Sequence, residues 1–86
     1  MQVYMQKPDI EGKAPSYYHL FLQADLLGGW SFIRESGRQG TSGRLKKEHF
    51  KQRDTAEEAL LKLRDIQLRK GFRVVYIQGD GRIDAG

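Results

Sequence analysis

The residue types that could do chemistry in this sequence are arginines and lysines, and they are concentrated in one segment. Residues 34–53 carry seven basic and two acidic side chains, whereas the whole chain of 86 residues has a net charge of +4. Such a segment is typical of a surface that binds phosphates or an acidic partner. It is equally typical of a solvated hairpin that covers a sheet edge with charge, so composition alone leaves both interpretations open. The candidate phosphate ligands are Arg34, Arg38, Arg44, Lys46, Lys47 and Lys51.

Catalytic and metal sites have little support in the sequence. The chain has no cysteine, which excludes disulfides, thiolate zinc sites, iron–sulfur clusters and cysteine nucleophiles. His19 and His49 have no carboxylate or second histidine at metal-ligand spacing. The serines lie in no nucleophile-elbow pattern. We therefore expect no catalytic residue, no metal site, no cofactor and no enzymatic activity.

Glycines recur between the basic side chains, at positions 37, 40 and 43. Glycine-rich loops can cradle phosphates because they bring backbone N–H groups close to oxygen atoms. The spacing matches no phosphate-binding motif, however, and hairpin turns use glycine for positive φ, so we favour turns. Trp30 could be an exposed stacking platform or the largest residue of a small core, and we favour the core.

Length and composition predict one globular domain over residues 1–86. Apolar residues make up 38 % of the chain and charged residues 30 %. The longest apolar run, residues 74–77, is far shorter than the roughly 20 residues that cross a bilayer. The first eight residues lack the basic flank and apolar stretch of a signal peptide. We therefore expect a cytoplasmic protein that does not associate with membranes.

Alternating apolar and polar residues predict strands, separated by turns rich in glycine. In the most regular strand, Tyr18, Leu20 and Leu22 share one face, whereas Tyr17, His19 and Phe21 share the other. We expect an N-terminal strand and loop over residues 1–15, a core over 16–78 and a flexible tail over 79–86. The predicted strands span residues 2–6, 16–25, 30–38, 44–53 and 72–78.

One helix is predicted over residues 55–70. Thr55 and Glu58 form the pattern of a capping box at its start, and Gly71 is suited to the position just after its end. Its apolar stripe includes Leu60 and Leu63, which we expect to be buried. Strands with short connections, then a helix and a last strand, predict an α+β fold in which one helix packs across one face of a small antiparallel sheet.

Residues 28–40, Gly-Gly-Trp-Ser-Phe-Ile-Arg-Glu-Ser-Gly-Arg-Gln-Gly, resemble the WGR domain family. The family is named for a Trp-Gly-Arg triplet followed by an apolar residue and glycine. The triplet here reads Ser36-Gly37-Arg38, and Gly40 follows it. A Gly-Arg turn, the leucine-containing helix and the Arg-Lys-Gly-Phe sequence at its end extend the resemblance over residues 16–77. The chain is similar to short bacterial members that consist of this domain alone.

The resemblance implies an antiparallel sheet with one helix and a role in nucleic-acid binding. In DNA-damage-responsive poly(ADP-ribose) polymerases, the Trp and Arg of the triplet engage a DNA strand terminus and its phosphate. Gly37 and Arg38 match that motif, whereas Ser36 lacks the stacking ring. The implied function is a non-catalytic module that contacts nucleic-acid phosphates through Arg38 and the basic strand, with DNA favoured over RNA. The alternative is a protein-interaction or regulatory module whose same surface binds an acidic partner.

Overall fold

A computed structural model describes residues 1–79, in which five strands form one antiparallel sheet with the order β4-β3-β2-β1-β5. One helix packs across the sheet, so the predicted α+β fold is confirmed. The flexible tail that the sequence predicts falls, from residue 80 onward, outside the described residues. The elements in chain order are β1 (Gln2–Lys7), β2 (Ser16–Ala24), β3 (Trp30–Arg38), β4 (Arg44–Phe50), α1 (Arg53–Arg69) and β5 (Arg73–Gln78).

The core lies between α1 and one face of the sheet, which we call the helix side. Leu20 and Leu22 of β2 face the helix, as the alternating pattern predicts, and Tyr18 packs against the same cluster. Pairing across the sheet adds Val3 and Met5, which lie opposite Leu20 and Tyr18. The remaining buried members are Phe32, Ala56 and Leu60.

The start of α1 differs from the prediction. The helix begins at Arg53, its N-cap is Gln52, and no side chain caps it. Thr55 therefore lies inside the first turn, where its hydroxyl donates a hydrogen bond to the carbonyl oxygen of Gln52 at 3.0 Å. The capping-box prediction was wrong because β4 ends at Phe50 rather than at residue 53, so the N-cap lies three residues before Thr55.

The end of α1 is as predicted. Gly71 has φ +102°, a left-handed conformation that costs other residues energy. Its N–H donates to the carbonyl oxygen of Leu68 at 3.1 Å, and the N–H of Phe72 donates to that of Gln67 at 3.0 Å. This pair of bonds is the Schellman motif, which satisfies carbonyl groups at a helix end and turns the chain towards β5.

The helix and Trp30 contribute to the core unequally. Leu60 is completely buried, as predicted, whereas Leu63 is half-buried and packs against the edge of the core. Trp30 is also half-buried: it packs against the core, and the Arg53 guanidinium lies 5.2 Å from the centre of its ring. Trp30 is therefore neither an open stacking platform nor a fully enclosed residue.

The glycines of the β3–β4 hairpin serve two different purposes. Gly40 lies in the turn with φ +85°, in agreement with the turn interpretation. Gly37 and Gly43 instead allow close packing: a Cβ on Gly37 would lie 3.1 Å from the Gly43 Cα, and one on Gly43 would overlap the Tyr17 hydroxyl. For these two positions the prediction of a positive-φ turn was wrong. Glycine is required there because the space beside Tyr17 is too small for a Cβ atom.

Among residues 1–79, the single helix is too short and too polar to cross a lipid bilayer.

Candidate nucleic-acid interface

A groove on the helix side, near the tip of the β3–β4 hairpin, collects part of the basic segment. It has a volume of about 240 Å³. Tyr18 and Ser36 line it together with three cationic side chains, which we call the groove cations: Arg34, Arg44 and Lys46. None of the three forms a salt bridge within residues 1–79.

The strand register explains why these cations converge. Arg34 on β3 lies directly opposite Lys46 on β4, and Ser36 lies directly opposite Arg44. Side chains that are directly opposite in an antiparallel pair project from the same face, with Cβ atoms about 4.5–5.5 Å apart. The groove cations therefore share one patch of surface, with the Ser36 hydroxyl among them.

The pairing of Arg34 with Lys46 has an electrostatic cost. Like charges that lie directly opposite across two strands repel each other and destabilise the pair. No carboxylate of residues 1–79 forms a salt bridge with either cation, so no ion pair offsets the repulsion. Phosphates bound in the groove would offset it, because their oxygen atoms accept charge-assisted hydrogen bonds from cationic donors.

Arg38, the motif arginine, lies outside the groove. Its Nη1 atom donates a hydrogen bond to the carbonyl oxygen of Ala14 at 3.1 Å and lies 3.9 Å from an Asp9 carboxylate oxygen. It lines a separate pocket with the loop between β1 and β2, together with Lys7 and Lys13. The interaction between Asp9 and Arg38 was missed in the sequence, because the two residues are distant along the chain and no local pattern joins them.

Lys47 and Lys51 are also separated from the groove. Lys47 lies opposite Ile33 and alternates with Lys46, which puts it on the face without the helix. There it lines a pocket of about 590 Å³ with His49 and Asp25. Lys51 is exposed in the turn between β4 and α1. The predicted set of six ligands is therefore divided into one group of three and three single residues.

His49 and Asp25 are in close polar contact on the face without the helix. His49 Nδ1 lies 2.7 Å from Asp25 Oδ2. The other oxygen of Asp25 accepts hydrogen bonds from the backbone N–H groups of Leu27 and Gly29, both at 2.9 Å. The bond from Gly29 is the main reason why the pKa of Asp25 lies below its usual value. Within residues 1–79 no cluster of three potential metal ligands occurs.

Comparison with known proteins gives the family. The sequence profile of the WGR domain matches residues 1–77 of the 86-residue chain. This chain belongs to the WGR domain family. The WGR family is generally linked to nucleic-acid binding, which agrees with the expectation from the Ser36-Gly37-Arg38 motif.

One curated relative extends the comparison. The chain is 28 % identical over 72 residues to a protein of Sinorhizobium fredii named "Uncharacterized protein y4dW". The match covers 84 % of this chain but 35 % of that protein, so the chain spans about a third of the relative's length. No solved structure gives a significant match.

Proposed function

We propose that this WGR domain is a non-catalytic module that binds DNA through its phosphates, with the groove cations as the principal ligands. The single observation that supports the proposal is that Arg34 and Lys46 lie directly opposite each other and form no salt bridge in the part of the chain that the structure describes. Their repulsion destabilises the strand pair unless an anion binds there. Arg44 adds a third cation beside the Ser36 hydroxyl.

The principal phosphate ligands in this proposal differ from the one that the WGR motif implies. In our proposal the groove cations contact successive phosphates, and these contacts give affinity without reading the base sequence. Arg38 is a secondary ligand, because the Ala14 carbonyl and the Asp9 carboxylate already hold its guanidinium. Lys47 and Lys51 add to the general positive potential rather than to the groove. The protein would meet DNA in the cytoplasm.

The test is binding of a fluorescent closed hairpin duplex, measured by anisotropy at fixed salt. Each of three single variants, Arg34→Ala, Arg44→Ala and Lys46→Ala, should weaken binding by about tenfold. The reason is that each substitution removes a charge-assisted hydrogen bond. The matched control is Lys62→Ala, which removes the same charge from an exposed position of α1.

Equal effects of the groove variants and Lys62→Ala would contradict the proposal, because only net charge would then matter. Absence of duplex binding by the parent would also contradict it. That result would favour the alternative in which the same surface binds an acidic protein.

A further inference from the structure

The sheet face opposite the helix carries a row of rings from three adjacent strands, which we call the aromatic face: Tyr4, Tyr17, His19, Phe21 and Tyr76. The centre of the Tyr4 ring lies 6.0 Å from that of Tyr17 and 5.7 Å from that of Tyr76, with nearly parallel planes. His19 meets Tyr4 edge-on at 5.7 Å and lies 4.9 Å from Phe21. The five rings thus form one contiguous cluster.

Hydrogen bonds to the polar atoms of the tyrosine and histidine side chains hold their rings in position. The Tyr17 hydroxyl donates to a carboxylate oxygen of Glu35 at 2.9 Å. The side-chain amide oxygen of Gln2 lies 2.7 Å from His19 Nε2 and accepts a hydrogen bond from the Tyr76 hydroxyl at 3.4 Å. The Tyr4 hydroxyl accepts from the side-chain amide of Gln39. Rings fixed in this way lose little conformational entropy when a ligand stacks on them.

Exposure differs among the rings of the aromatic face and is greatest for Tyr76 on β5. Tyr17 is buried, Tyr4, His19 and Phe21 are half-buried, and Tyr76 is 44 % exposed on the last strand. Cross-strand stabilisation accounts for the packing of Tyr17 on Tyr4. It does not account for the exposure of Tyr76, which turns a large ring to solvent at the edge of the sheet.

Two basic side chains that can attract a nucleic-acid backbone flank the aromatic face. Lys47 on β4 and Arg73 on β5 project from the same side of the sheet, and neither forms a salt bridge within residues 1–79. Glu35 is an acidic residue on the same face, and its carboxylate accepts a hydrogen bond from the Tyr17 hydroxyl. Amide side chains next to the rings offer both donors and acceptors: Gln2, Gln6, Gln39 and Gln78.

We propose that the aromatic face is a second site, which binds single-stranded nucleic acid by stacking its bases. Every base has a π-face that stacks on an aromatic side chain, whereas the bases of a duplex are already stacked on each other. Lys47 and Arg73 would attract the backbone, and the amides would meet base edges. The inference rests on the proposed function only in the class of ligand, because the groove cations lie on the opposite side of the sheet.

The probes are a fluorescent 12-nucleotide oligothymidylate and the closed hairpin duplex. Tyr76→Ala should weaken oligothymidylate binding by about five- to tenfold, the lower part of the range for loss of one stacking ring, and should leave duplex binding unchanged. The matched control is Ile77→Ala, the next residue on β5, which is 57 % exposed on the helix side opposite Val3. It should leave both affinities unchanged.

Two further variants separate stacking from folding. Tyr76→Phe keeps the ring and should retain oligothymidylate binding, whereas Tyr76→Leu keeps apolar bulk without a ring and should behave like Tyr76→Ala. Equal binding by Tyr76→Phe and Tyr76→Leu would overturn the inference. So would a parent protein that does not bind the oligothymidylate at all.

The same measurements distinguish this inference from the proposed function. If Arg34→Ala weakens duplex binding but Tyr76→Ala and Tyr76→Leu leave oligothymidylate binding unchanged, the aromatic face is not a site and the groove proposal stands. If Tyr76→Ala and Tyr76→Leu lose oligothymidylate binding while the parent binds no duplex, the groove proposal fails and the aromatic face stands.

Discussion

Arg38 and Asp9 form an ion pair that ties the motif arginine to the loop after β1: Arg38 Nη1 lies 3.9 Å from Asp9 Oδ2. The same Nη1 atom donates to the Ala14 carbonyl oxygen at 3.1 Å. A phosphate that approaches Arg38 must therefore compete with a carboxylate of this chain. In the proposed complex with DNA, the loop would therefore reduce the contribution of Arg38 to binding.

Removal of that competitor should strengthen DNA binding. We expect Asp9→Asn to raise affinity for the hairpin duplex by about two- to fivefold, the scale of a partly exposed ion pair. The control is Glu11→Gln in the same loop, which removes the same charge but breaks the pair between Glu11 and Lys13. An equal gain in both variants, measured by anisotropy at one salt concentration, would show that only net charge has changed.

The turn between β2 and β3 should lose stability in acid. The pKa of Asp25 is lowered, chiefly because its carboxylate accepts the N–H of Gly29, so the folded state favours the ionised form. This stabilisation is fully present above the ordinary value of 3.8 and is lost as the pH falls through the lower pKa of the folded state.

Asp25→Asn should flatten that acid dependence. Its amide oxygen can still accept the two backbone N–H groups, but its charge no longer changes with pH. In melting curves from pH 7 to pH 2, the variant should be less stable than the parent at neutral pH and should lose less on acidification. Parallel losses in the two proteins would contradict the account of Asp25.

The sheet and its faces could be predicted from the sequence because periodicity is a local signal. Alternation in β2 assigned Leu20 and Leu22 to the core, and Gly71 marked the end of α1. The start of α1 was predicted wrongly, because a Thr can lie at the N-cap or inside the first turn and the residue at which β4 ends decides between the two.

The candidate site was predicted only in part, because it depends on register. Charge density identified the segment that contains Arg34, Arg44 and Lys46. Which of its cations share a face follows from the pairing of β3 with β4, and a shift of one residue would exchange Lys46 for Lys47. The aromatic face as a whole was not predicted, because Tyr4, Tyr17 and Tyr76 come from three strands and only the strand pairing brings their rings together.

Burial along α1 predicts unequal effects of two similar substitutions. Leu60→Ala should cost about 2–5 kcal/mol of unfolding free energy, because Leu60 is fully enclosed and leaves a cavity. Leu63→Ala should cost less, about 1–2 kcal/mol, since Leu63 is half-buried and solvent can fill part of the space. Chemical denaturation of both variants checks the order; a larger loss for Leu63→Ala would contradict the packing described above.

The most direct test of the groove as a phosphate site is the salt dependence of duplex binding. If the groove cations neutralise three phosphates, the logarithm of the binding constant should fall with the logarithm of salt concentration with a slope of about −2.7, and Arg34→Ala should flatten that slope by about 0.9. Lys62→Ala should leave it unchanged. Duplex binding that is insensitive to salt, or a slope that is the same with and without Arg34, would contradict the central claim.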